Sequence, residues 1–176
     1  MARDHARIRL DIWVDEDFAD LPSTSQWLYT RLLTHGGLTY CGVVEWRPKR
    51  LAQSAPDLTA TDVEMFAAPL EDRNFLIIDR DTEECLVRSF VKHDGLLDKW
   101  NLAAAVARTF TAVSSKAIRG AIVHELQKLR KDNPEYRGWT RDDVKKVLRR
   151  TPIDPAEARA MTQPNPTDRP SERGVA

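Results

Sequence analysis

Apolar residues first fall into helical spacing at Trp27, Leu28, Leu32 and Leu33, one face of a rod that turns every 3.6 residues. Ser23 and Gln26 form a capping-box pattern at its start, in which each side chain satisfies the other's free backbone N–H. Gly36 and Gly37 stop it, because glycine adopts the left-handed C-terminal conformation cheaply. Ahead of this helix, residues 7–13 (RIRLDIW) alternate polar and apolar, which predicts a short strand or an extended lead-in. Asp15, Glu16, Asp17 and Asp20 then make an acidic turn around Phe18 and Leu21. Residues 38–46 (LTYCGVVEW) are β-branched and aromatic and predict a strand. A short second helix follows from Pro48, a residue suited to a first helical turn, through Lys49, Arg50, Leu51 and Ala52.

The third helix opens on a second capping box, Thr59 with Asp62, and carries Val63, Phe66, Ala67 and Leu70 at i, i+3, i+4 and i+7. Pro69 removes a helical hydrogen bond, so a bend or an early end is expected there. Residues 75–79 (FLIID) and 85–91 (CLVRSFV) predict two strands of a hairpin with the charged tip Arg80, Asp81, Thr82, Glu83 and Glu84. Helix, strand, helix, helix, strand, strand is the order of a winged helix, a three-helix core closed by a small antiparallel sheet. Pairing the first strand antiparallel with the last sets Cys41 near the far end of that strand from Cys85, which disfavours a disulfide.

Beyond Gly95 the pattern turns wholly helical. Asp98 is placed to cap a helix with Leu102, Val106, Phe110 and Val113 about one turn apart, interrupted at Ser114 and Ser115. The next helix carries Ile118, Ile122, Leu126 and Leu129 on one side and Lys116, Arg119, Lys128 and Lys131 on another, and ends at Asn133 and Pro134. A final helix starts on a third capping box, Thr140 with Asp143, where Trp139 staples onto Val144. It shows Arg141, Lys145 and Arg149 in one stripe beside Lys146 and Arg150, and Pro152 stops it. Four further prolines then predict a flexible tail. The expected organisation is α+β: an N-terminal winged helix-turn-helix domain over 1–96, a basic helical extension over 97–151 and the tail over 152–176.

Charge sharpens this picture. Lys plus Arg equal Asp plus Glu at 27 each, but 1–96 hold 11 basic against 17 acidic residues and 97–150 hold 13 against 6. An acidic front and a basic back predict two surfaces with different partners, or two halves that neutralise each other. The chain contains no run of about 18 apolar residues, and its start is polar, so neither a membrane span nor a signal peptide is expected; the location expected is the cytoplasm of a host cell. There is no GxSxG, P-loop, HExxH or GxGxxG. The two cysteines and the scattered His5, His35, His93 and His124 lack metal spacing. The expectation is therefore a protein that is not an enzyme, with no cofactor and no metal. His35 ends the first helix, where the macrodipole favours a cation.

Winged helices usually place the third helix in the major groove of DNA. Here that helix shows Asp62, Glu64, Glu71 and Asp72, and the wing tip shows Asp81, Glu83 and Glu84, which repel phosphates. Two basic sites remain. Arg47, Lys49 and Arg50 cluster at the start of the second helix, where free N–H groups also favour phosphate. The C-terminal face offers Lys116, Arg119, Lys128, Arg130, Lys131, Arg141, Lys145, Lys146, Arg149 and Arg150.

The segments RIRLDIWVDEDFADL, STSQWLYTRLLTH, LTYCGVVEWRPKRLAQSA, LTATDVEMF and NFLIIDRDTEECLVRSFVKHDG together resemble the winged-helix proteins of actinobacteriophages and actinobacterial prophages. Those are described as helix-turn-helix DNA-binding or replication-initiation proteins, similar to the N-terminal domain of replisome organisers. The resemblance covers about half the chain strongly. It implies a DNA-associated role in phage replication or gene control, and carries over Arg47, Lys49, Arg50, Arg88 and Lys92 from the matching segments. The leading expectation is thus a DNA-binding protein of replication initiation or replisome organisation. Its partners are DNA, a phage or host replication protein and, with the winged helix as a dimerisation unit, a second copy. A protein-interaction adaptor using the acidic winged-helix face stays open, as does a transcriptional regulator, though no heptad zipper is present to dimerise one.

Overall fold

Packing around Phe18 organises the first half. Its ring lies 5.5 Å from Tyr29 and 5.9 Å from Phe75, and Tyr29 and Phe75 are themselves 5.5 Å apart. The computed structural model describes residues 8–88, 90–93 and 95–163. His5 and residues 164–176 of the expected tail lie outside them. Among the described residues are nine α-helices and three strands, the α+β class expected. They run α1 (Glu16–Ala19), α2 (Ser23–Leu33), β1 (Val43–Glu45), α3 (Pro48–Ala52), α4 (Ala60–Asp72), β2 (Leu76–Asp79), β3 (Glu84–Val87), α5 (Phe90–His93), α6 (Trp100–Phe110), α7 (Lys116–Asp132), α8 (Asp142–Leu148) and α9 (Pro155–Thr162). Single 3-10 segments occupy Leu10–Val14 and Arg137–Thr140.

The sheet is antiparallel in the order β1-β3-β2, with Cys85 opposite both Val44 and Ile78. One rung further, Glu84 stands between Glu45 and Asp79. Three acids side by side repel one another, and each finds a partner elsewhere. Glu45 is within 3.5 Å of Arg50 and 3.7 Å of Arg47. Asp79 accepts the backbone N–H groups of Asp81 and Thr82. Glu84 reaches out of the sheet to the start of α7, where it accepts from Ser114 N (2.9 Å) and Ser115 N (2.7 Å). Cys41 and Cys85 are buried, and both are free thiols. Burial pushes both thiols above their ordinary pKa.

Several local expectations give way to stronger contacts. Residues 10–14 form a 3-10 turn rather than a strand. The strand expected over 38–46 is regular only at Val43–Glu45, because Gly42 takes a φ of +85° and turns the chain. The strand expected over 85–91 ends at Val87, and Phe90 and Val91 begin α5. Ser23 and Gln26 do not form a capping box: Pro22 precedes the helix, and Gln26 Nε2 donates instead to the carbonyls of Phe18, Ala19 and Leu21. Thr59 and Asp62 do form one. Helix α4 runs through Pro69 to Asp72, held past the proline by buried Leu70 and Glu71. Thr140 donates to Arg137 O rather than capping α8, whose N-cap position is Arg141. Helix α6 begins at Trp100, so Asp98 does not cap it.

The second half packs onto the first. One apolar cluster runs from Phe18 through to Ala158. Ser115 caps α7 by accepting from Ile118 N. The chain passes close to α6 at Gly138, where a Cβ would sit 2.5 Å from Leu97 O and 2.7 Å from Ala103 Cβ. The stretch expected to be flexible from 152 contains α9. Asp154 caps this helix, Pro155 occupies its first turn and Ala158 is fully buried. It packs on α7 and on the edge strand β2. Arg159 Nη1 donates to Glu71 O at 2.8 Å and pairs with Asp72 at 3.2 Å.

Candidate nucleic-acid interface

Six basic residues of the second half come together where α6, α7 and α8 meet, whereas Lys128, Arg130 and Lys131 toward the end of α7 line neither hollow there. Two adjoining hollows of about 440 and 450 Å³ lie there and share Phe110, Thr111 and Arg150. Lys116, Arg119 and Arg150 line one, and Arg108, Arg141, Lys146 and Arg150 line the other. Asp143 is the only acid among the lining residues, and Arg141 neutralises it through two bonds of 2.9 and 2.8 Å. That pairing holds the Asp143 carboxyl below its ordinary pKa. Between the cations the floor is apolar, made by Ala104, Ala107, Phe110 and Val147.

The cations differ in what they are free to do. Arg119 Nη1 donates to the carbonyls of Val113 (2.6 Å) and Ser114 (3.0 Å), which fastens the α6–α7 corner. The Arg141 guanidinium lies 4.7 Å over the Trp100 ring, a cation–π contact. Arg108, Lys116, Lys146 and Arg150 are exposed, with no ion pair among the described residues. Arg149 is exposed on α8 but lines neither hollow, and Lys145 pairs with Asp142 at 3.2 Å.

The cations carried over from the first half stand apart from this groove. Arg47 and Arg50 line a separate cavity of about 490 Å³ with His35, Glu45 and Glu84. Both arginines are paired there, Arg47 also with Glu83 at 3.2 Å. Lys49 is exposed and faces the 52–60 loop instead. Arg88 is not a surface cation. It is half-buried, with Nε 3.6 Å from Glu125 Oε1 of α7, and that Nε makes no hydrogen bond among the described residues. Lys92 is exposed on α5 and borders none of these hollows. His35 Nδ1 accepts from Gly37 N, and burial together with Arg31 and Arg50 pulls its pKa down. These contacts disfavour the charged form at a helix end whose macrodipole would favour it.

The acids of α4 are engaged by other groups. Glu64 accepts from Trp46 Nε1 and, with Glu71, from Arg80. Asp62 is spent in the capping box and Asp72 on Arg159. The exposed positions of α4 are Thr61, Met65, Ala68 and, at its end, Asp72.

No family model, curated protein or solved structure matches this chain. Among the described residues, no helix is long and apolar enough to cross a membrane. Sequence reasoning passed over two residues here: Arg108, which lines the groove, and Trp100, which adjoins it through Arg141. Arg108 was hidden in the stripe of Leu102, Val106 and Phe110, yet it lies two residues past Val106, on the polar side. Trp100 opens α6, and Trp100, Ala104, Arg108 and Thr111 follow at the spacing of one helical face, the signal by which both were findable.

Proposed function

We propose that this chain is a non-enzymatic, DNA-binding winged-helix protein of the phage replication-initiation type, which holds nucleic-acid phosphates in the groove between α6, α7 and α8. The observation that carries the reading is the convergence of six cations on that groove with one neutralised acid among them. The winged-helix reading rests on the order α2, β1, α3, α4, β2, β3 and on the β1-β3-β2 sheet. The repulsion expected from α4 is reduced, because Glu64 and Glu71 are bound to Arg80. Along α6, the stripe from Trp100 to Thr111 spans roughly 16 Å at 1.5 Å per residue.

Fluorescence anisotropy with labelled duplex over a salt series tests this. Four exposed cations on phosphates give a log–log salt slope near −3.6, or about 100-fold weaker binding between 50 and 200 mM salt. The double variant Lys146→Glu, Arg150→Glu changes two exposed side chains and should abolish binding while leaving the melting temperature within about 2 °C. Absence of binding by the unaltered protein to any DNA at 50 mM salt rejects the proposal. A protein-adaptor role is the second reading, favoured by one observation: Leu10, Trp13 and Val14 stand 87, 58 and 79% exposed on a single turn. Capture of a replication protein by wild type, but not by Leu10→Ser, Val14→Ser, would support it.

A further inference from the structure

Trp100 gives the groove a feature that duplex binding does not use. The residue is 48% exposed, although Arg141 covers one side of its ring. Trp100 is not itself a lining residue, but Arg141 is, so the indole adjoins the groove across that guanidinium, one helical turn before Ala104 on the floor. A rim of cations around an apolar floor, with a half-exposed indole beside it, is matched to a ligand with a charged backbone and free apolar faces. A duplex is a convex rod whose base faces are stacked inside it and cannot reach such a floor. A single strand presents those faces, and aromatic side chains stack on them whatever the sequence.

We propose that the groove takes single-stranded nucleic acid, with one base laid on Trp100 and the following phosphates held by Arg108, Lys146, Arg150 and Lys116. This rests on the DNA-binding reading above and narrows its substrate. Arg141 has two uses in it: it clamps the far side of the indole, and its bond to Asp143 removes the one negative charge that would repel the strand. Because stacking is indifferent to base identity, the preference is for strandedness and not for sequence.

The test compares labelled oligo(dT) of about 16 nucleotides with a duplex of the same length at 50 mM salt, a length at the upper end of common single-strand sites. The proteins are wild type, Trp100→Ala, Trp100→Phe and Lys146→Glu, Arg150→Glu. Wild type should bind oligo(dT) more tightly than duplex. Trp100→Ala should weaken oligo(dT) roughly 10-fold, within the range for loss of one stacked base, and change duplex binding less than about twofold. Trp100→Phe should restore most of the loss, which a merely structural indole would not do. Duplex bound as tightly as oligo(dT), an unaffected Trp100→Ala, or equal losses on both ligands overturns the inference. If duplex binding persists and still depends on Lys146 and Arg150, the DNA-binding reading survives that failure. If neither ligand binds, both fall together.

Discussion

Removing the Glu84 carboxylate should unpin the sheet from the second half of the molecule. In Glu84→Ala, the N–H groups of Ser114 and Ser115 lose acceptors at 2.9 and 2.7 Å. Ser114 is exposed and can turn to water, but Ser115 is 1% exposed and cannot do so freely. A hydrogen bond to a charged group contributes about 1.5–3 kcal/mol, and a carboxylate at a helix start adds about 0.5 kcal/mol against the macrodipole. Against this, loss of the charge relieves repulsion from Glu45 and Asp79 on either side, worth about 0.5 kcal/mol. The net cost is about 2 kcal/mol, which for a chain of this size lowers the melting temperature by about 4–8 °C. Glu84→Gln keeps one acceptor oxygen without the charge and should lose about half as much. The control is Glu83→Ala, whose carboxylate makes only an exposed pair with Arg47, worth at most about 0.5 kcal/mol. Thermal unfolding followed by circular dichroism reads all three. If Glu84→Ala melts within 1 °C of Glu83→Ala, the pin carries no stability and the reasoning is wrong.

Arg80→Ala leaves Glu71, a carboxylate only 10% exposed, without its partner, and should cost about 2–3 kcal/mol in a urea titration; a loss under 0.5 kcal/mol shows that water replaces the guanidinium. Gly120→Ala drives a Cβ into the Ile153 side chain, against its Cγ1 and Cδ1. It should release the 152–163 segment, seen as new proteolytic cleavage there while the rest stays resistant; an unchanged digest means that α7 and Ile153 yield without separating. The lowered pKa of His35 means that the unfolded chain binds its proton more readily than the folded one. Its contribution is therefore complete above the unfolded value near 6.5 and is lost as pH falls through the lower folded value. His35→Gln should flatten the melting-temperature profile in that acidic range, and a parallel profile for the two proteins would assign the proton to another group.

Elements whose signals are local were readable from the chain. Thr59 and Asp62 lie three residues apart, and nothing distant competes for either, so the box forms as its spacing implies. Gln26 has the same spacing from Ser23, but its amide finds three carbonyls of the preceding turn, and no sequence rule weighs that competition. The apolar run ending CLVRSFV is short enough to suit either period, and the chain divides it between β3 and α5. Proline content suggested disorder beyond 152, whereas α9 is secured by partners 80 to 90 residues earlier, such as Glu71 O on Arg159. At the groove, most cations were visible singly. Their division was not: Arg88 is drawn to Glu125 and Arg119 to backbone carbonyls, both by contacts that exist only once the helices have packed.

Helix α9 has a consequence in time. It lies against β2, the edge of the sheet, and an uncovered edge is a template for pairing with another chain. A ribosome finishes β3 at Val87 well before it reaches α9 at Pro155–Thr162. At about 5–20 residues per second, roughly 4–15 s separate the two. For that interval the nascent sheet exists without its cover, and each neighbouring chain on the same message presents the same bare edge. Crowding on the message should therefore matter more to the yield of this protein than to that of one whose edge strand is shielded by its nearest neighbours in the chain.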